Sequence, residues 1–178
     1  MKAFFLGAVC LGAVCAAIVG LAAQAQDGQR ATAIFINARG QQIGSTSLLQ
    51  TSHGVLIEAE VRRLPRGKHA FHIHQKGACD PASKFESAGG HFAPSGEKHG
   101  YMAEGGPHAG DLPNQFVGRD GVLRINVLAP DMTLGSGNRS LFDADGSAIV
   151  IHANADDYRS DPAGNAGDRI ACAVIKQP

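Results

Sequence analysis

The feature that most constrains this chain is a period of two. Thr32, Ile34 and Ile36 alternate with Ala33, Phe35 and Asn37 before Arg39-Gly40 turns the chain. Residues 43–51 follow, then residues 53–64, with Val55, Ile57, Ala59 and Val61 on one face. Successive side chains of a strand leave opposite faces, so this alternation, rich in β-branched residues, spells half-buried strands. Pro65-Arg66-Gly67 makes the next turn and residues 68–76 the next strand. Strands resume at residues 115–118 and 122–128, joined across Asp120-Gly121, and again at residues 147–152 and 169–176. No helical period is sustained, and turn signals recur about every ten residues, which argues an antiparallel sandwich or barrel.

Two irregular intervals break the pattern, residues 77–114 and 153–168. A structureless loop as long as the first is functional or disordered, and a bound metal would supply its ordering energy. Six of the eight histidines fall between His69 and Asp111: His69, His72, His74, His91, His99 and His108. His72 and His74 lie two apart on a strand, so both rings leave one face while Phe71 and Ile73 point to the core. His69 shares the parity of Phe71, which predicts an inward ring that ties a loop backbone and binds no metal. The loop adds His91, His99, His108 and Asp111, and His152 ends a later strand.

These seven groups exceed one tetrahedral site and fall one short of two four-coordinate sites. A shared imidazole closes the count, although a single metal with an open position, or another partition, also fits the spacing. An all-imidazole set suits Cu(II) and a His₃Asp set suits Zn(II), which reads as a copper centre for electron transfer beside a zinc that fixes the loop. Asp143-Ala-Asp145-Gly146 opens like a calcium loop but lacks the third acidic position and the closing glutamate, so it reads as a turn.

The ends bound the compartment. Residues 1–25 carry Lys2, an apolar run from Phe4 to Ala23, and small residues at Ala23 and Ala25, the pattern of a secretory signal cleaved after Ala25. Cleavage removes 25 of 178 residues and leaves 153, one domain over residues 26–178 with a sizeable core. Lys2 leaves with the signal, so 15 of the 16 basic residues remain against 16 acidic ones, a net charge of −1. That balance, with no Trp and two Tyr, argues against a nucleic-acid partner, and no membrane segment remains after cleavage. Cys79 and Cys172 survive, and a lone pair in an exported protein is most simply one disulfide.

Together the motifs HAFHIH, CDPASKFESAGGHFAP, KHGYMAEGGPHAGD, DGSAIVIHANADD and GNAGDRIACAVI resemble the bacterial, exported Cu/Zn superoxide dismutases over essentially the whole mature chain. The resemblance implies an all-β, Greek-key antiparallel sandwich or barrel of about eight strands, with a long metal-binding loop and a second active-site loop. It implies one copper per subunit on His72, His74, His91 and His152, and one zinc on His91, His99, His108 and Asp111, with His91 as the shared imidazolate. It further implies Asp156 as hydrogen-bond acceptor for His72 and His99, Arg169 as the group that orients the superoxide anion, and a periplasmic location. A homodimer is compatible with it. A copper-binding or delivery module on the same fold is the alternative. Asp168 stands where the family commonly has a small residue, and Glu86 where bacterial members often carry lysine. Both subtract positive potential near the expected substrate path.

Overall fold

A computed structural model describes residues 28–178; the predicted signal segment, residues 1–25, lies outside the described residues. Among the described residues no helix is long and apolar enough to cross a membrane. Eight strands make up the fold: β1 Arg30–Asn37, β2 Gln42–Thr51, β3 Gly54–Val61, β4 Gly67–His74, β5 Asp111–Val117, β6 Leu123–Ala129, β7 Ala148–His152 and β8 Arg169–Val174. They form one antiparallel sheet in the order β5-β4-β7-β8-β1-β2-β3-β6. The end strands β5 and β6 are consecutive in the chain across the Asp120-Gly121 turn, which curls the sheet into a nearly closed barrel. The β3–β6 and β4–β7 neighbours give the Greek-key crossovers.

The barrel interior is filled from alternate positions. Phe35, Leu48, Ile57, Phe71, Ile73, Leu123, Ile149 and Ile151 are all at or near zero exposure and belong to one apolar cluster. Each such side chain contributes about 1.5–3 kcal/mol by leaving water. On β1 the buried face is Ala31, Ala33 and Phe35, while Ile34 points outward and is 47% exposed. Ile36 packs instead on a smaller cluster of Phe85, Ala88, Val150, Cys79 and Cys172 outside the barrel.

β4 departs from the half-buried pattern, because His69 to His74 are buried on both faces. The outward face carrying His72 and His74 lies under the two long connections, residues 75–110 and 153–168. The first contains only two short 3₁₀ turns, Pro81–Ser83 and Glu86–Ala88. Several boundaries differ from the sequence reading by up to three residues, with β3 ending at Val61 and β4 at His74, and the largest difference is that β5 begins at Asp111, not at residue 115. Asp111 pairs with His72 and Leu112 with Phe71, so tertiary register carries the strand across Pro113. Proline is tolerated there because β5 has a ladder partner, β4, on one side.

Candidate metal centre

The period of two places His72 and His74 side by side on β4, and the β4–β7 pairing brings in His152 from the end of β7. His74 Nε2 and His152 Nε2 lie 3.4 Å apart. His91 is delivered by the long loop, which is stitched to β4 by a bridge between His74 and His91 and by the Phe92 N–H donating to the Ile73 carbonyl at 2.9 Å. The His91 ring centroid is 4.1 Å from His72, 4.9 Å from His74, 5.1 Å from His99 and 5.3 Å from His108. Two four-residue groups result, His72–His74–His91–His152 and His91–His99–His108–Asp111; within each, donor atoms lie within 4.8 Å of one another. His91 is the one residue in both.

Hydrogen bonding fixes which nitrogen each ring offers. His72 donates from Nε2 to Asp156 Oδ2 at 2.9 Å, His74 from Nδ1 to the Gly89 carbonyl at 2.9 Å, and His152 from Nδ1 to the Gly167 carbonyl at 3.2 Å. Their opposite nitrogens remain for the first group. In the second, the Nδ1 atoms of His91, His99 and His108 converge on Asp111 Oδ1 at 2.7, 3.1 and 3.2 Å. Asp111 Oδ2 meanwhile accepts the backbone N–H groups of Gly100 and His108 at 2.9 and 3.0 Å. His72 Nδ1 and His91 Nε2 are buried with no hydrogen-bond partner among the described residues. A buried polar atom left orphaned is costly, and both of these face the all-histidine group, which is what a metal ligand would do. The residues therefore fit two metals, with His91 offering Nδ1 to one and Nε2 to the other.

The electrostatics favour the metal-binding protonation states. Burial holds His74 well below the usual histidine value, and neighbouring His91 adds to this. Burial likewise lowers His91 to about 4 and His152 to about 3. Neutral imidazole is the form a metal takes. Burial alone would raise Asp111, but hydrogen bonds from His108, His91 and the Gly100 N–H hold it well below the carboxylate range. Burial opposes ionisation of Asp156 too, and hydrogen bonds from His72 and His99 overcome it, bringing it to about 2.

Asp156 links the groups: its Oδ1 accepts from His99 Nε2 at 2.9 Å and its Oδ2 from His72. Asn114 clamps it, accepting the Asp156 N–H at 2.8 Å and donating to the Asp156 carbonyl at 2.9 Å. Gly164 leaves room for it, since a Cβ there would lie 1.8 Å from Asp156 Oδ1. Sequence reasoning missed Asn114 and Gly164. Asn114 gave no signal, and Gly164 lay inside a quoted motif but was given no role. His69 is buried outside both groups, with its ring nitrogens 2.8 Å from the carbonyls of His152 and Pro65.

Arg169 opens β8 directly opposite His152. Its guanidinium donates to the Phe85 carbonyl at 2.7 Å and meets Glu86 Oε2 at 3.3 Å. Phe85 is held by the small outer cluster, and by the Cys79–Cys172 disulfide that pins this loop to β8. Of the two acidic departures, Glu86 is thus the partner of the guanidinium, whereas Asp168 makes no ion pair within 4.0 Å among the described residues.

A one-sheet β-barrel with two histidine-rich groups sharing an imidazole defines a binuclear metalloprotein. Residues 42–175 match the model of the family described as copper/zinc superoxide dismutase (SODC). The chain is 46% identical over 167 residues to Superoxide dismutase [Cu-Zn] 2 of Aquifex aeolicus, covering 93% of this chain and 97% of that one. It is 42% identical to Superoxide dismutase [Cu-Zn] of Caulobacter vibrioides, over 82% of this chain and 85% of that one. Among solved structures it resembles a SOD-like protein from Bacillus subtilis, with a TM-score of 0.76 and 40% identity over 80% of this chain and 95% of that one. The chain belongs to the copper/zinc superoxide dismutase family, an oxidoreductase family whose cofactors are copper and zinc.

Proposed function

We propose that this chain is an exported superoxide dismutase that converts two superoxide anions and two protons to dioxygen and hydrogen peroxide. In this reading His72, His74, His91 and His152 hold one copper, and His91, His99, His108 and Asp111 hold one zinc. Bound copper supplies the one-electron redox cycle and bound zinc fixes the long loop. Arg169 attracts and orients the anion, because a guanidinium stays charged at any working pH and presents a planar fork to a small anion. His91 takes up a proton at Nε2 and passes it to the second anion. Asp156 fixes the tautomers of His72 and His99, and His69 ties the His152 backbone to the Pro65 turn.

The observation that carries this reading is the single buried ring of His91, with Nδ1 in one group and an unpartnered Nε2 in the other. A copper-binding or delivery module would need neither the shared ring nor an arginine opposite His152. The apolar segment before Ala25 and the Cys79–Cys172 bridge support export to the periplasm, where disulfides persist. A homodimer is compatible with the reading, and light scattering on the mature chain measures it directly. Metal analysis and superoxide consumption on His152→Ala test the assignment: copper and activity should fall while zinc stays bound. Unchanged activity would overturn the copper assignment.

A further inference from the structure

A hollow of about 380 Å³ opens beside Arg169, and none of the metal ligands lines it. Its floor is apolar and includes Ile43 and Leu64. Around it stand Arg39, Arg63, Lys84 and Arg169, with the carboxylate of Asp168 in its lining and that of Glu86 paired to Arg169 at 3.3 Å. These groups come from four separate segments of the chain, so the fold assembles the arrangement. Arg62, Arg124 and Arg139 each find a carboxylate elsewhere on the surface. Arg39, Arg63 and Lys84 have none within 4.0 Å among the described residues. Arg63 and Lys84 also adopt left-handed backbone, at φ 61 and φ 51, which a side chain of this kind rarely takes without a constraint.

Unpaired positive charge over an apolar floor is complementary to an anion with an apolar body. Superoxide is too small to use the floor. We propose that this hollow binds a small organic carboxylate with an apolar body, and that its occupant, seated against Arg169, competes with approach of the substrate anion. The competitive part rests on the reading of Arg169 as the anion-orienting group; the binding part does not.

The test titrates naphthalene-2-carboxylate into the metal-loaded protein, with naphthalene-2-carboxamide and acetate as the two controls, by calorimetry and by amide chemical-shift mapping. The carboxylate should bind and shift the amides of Arg39, Ile43, Leu64 and Ile170, while each control binds at least about tenfold more weakly. Arg63→Asn with Lys84→Asn removes two charges and keeps residues that tolerate positive φ. At about threefold per exposed charge, this double variant should bind about tenfold more weakly at low salt. Equal binding of the carboxamide, an unaffected double variant, or no binding overturns the site. Superoxide consumption should fall with the same half-saturation as binding, and full occupancy without inhibition overturns the competition. A metal-loaded chain that consumes no superoxide overturns the dismutase reading, and the binding result then stands by itself.

Discussion

Gly164 is the position where one added carbon should disturb both metal groups. It is buried in the second long loop at φ +63, and an alanine Cβ would lie 1.8 Å from Asp156 Oδ1, 2.5 Å from its Cγ and 2.7 Å from His99 Nε2. Carbon and oxygen need more than 3 Å, so the Asp156 carboxylate must leave both of its histidine partners or the loop must lift. The left-handed backbone alone costs alanine about 1–2 kcal/mol. Each charge-assisted hydrogen bond lost by Asp156 costs about 1.5–3 kcal/mol more. Gly164→Ala should therefore lower stability by about 4–8 kcal/mol, less whatever the loop relaxes. It should also weaken metal binding about 10–100-fold, as loss of a ligand-orienting partner does, at copper through His72 and at zinc through His99. Gly96→Ala is the control, because Gly96 is exposed at φ +73 with nothing within 4 Å of a Cβ. Urea denaturation of both variants, with competition titrations for each metal, separates backbone cost from steric displacement. If Gly164→Ala matches Gly96→Ala in stability and keeps wild-type metal affinity, the argument that Asp156 depends on this gap is wrong.

Three further outcomes follow from the same structure. Cys79→Ser should lower stability by about 4–5 kcal/mol, the chain-entropy value for a closed loop of this order; the bridge spans 93 residues, and a thermal melt with and without reductant should show the same loss in wild type. In the metal-free protein, His91 at about 4 and His152 at about 3 refuse protons that the unfolded chain accepts from 6.5 downward. The unfolded state therefore binds more protons, and stability should fall as pH drops from about 6.5 toward 5, before the unfolded chain's carboxylates, with an ordinary value of 3.8, begin to titrate; a urea midpoint flat across that window would contradict the burial argument. Asp168→Ala removes the carboxylate beside Arg169 and should raise the second-order rate about twofold at low salt, with the gain vanishing at high salt, as stopped-flow consumption of superoxide can measure.

The sequence alone determined the strands and the type of chemistry. Alternation at residues 55–61 and 71–74 is local, so it survives without knowledge of partners, and Val55, Ile57, Phe71 and Ile73 all lie in the core. Imidazole and carboxylate also declare their metal preferences by type, which is why seven candidate groups could be named without coordinates. Tertiary structure decided everything that depends on one segment meeting another. Local hydrophobicity on β1 would favour Ile34 and Ile36 as the inward pair, yet Ala33 and Phe35 fill the barrel because Ile36 is claimed by the cluster under the disulfide loop. Spacing left the partition of the seven groups open; the pairing of β4 with β7 and the stitching of Phe92 to Ile73 gathered them into two groups around His91. The Asn114 clamp, the gap at Gly164 and the cationic hollow beside Arg169 are likewise contacts between residues far apart in the chain. Periodicity records which face a side chain takes, whereas its neighbour across the fold is set only when the barrel closes.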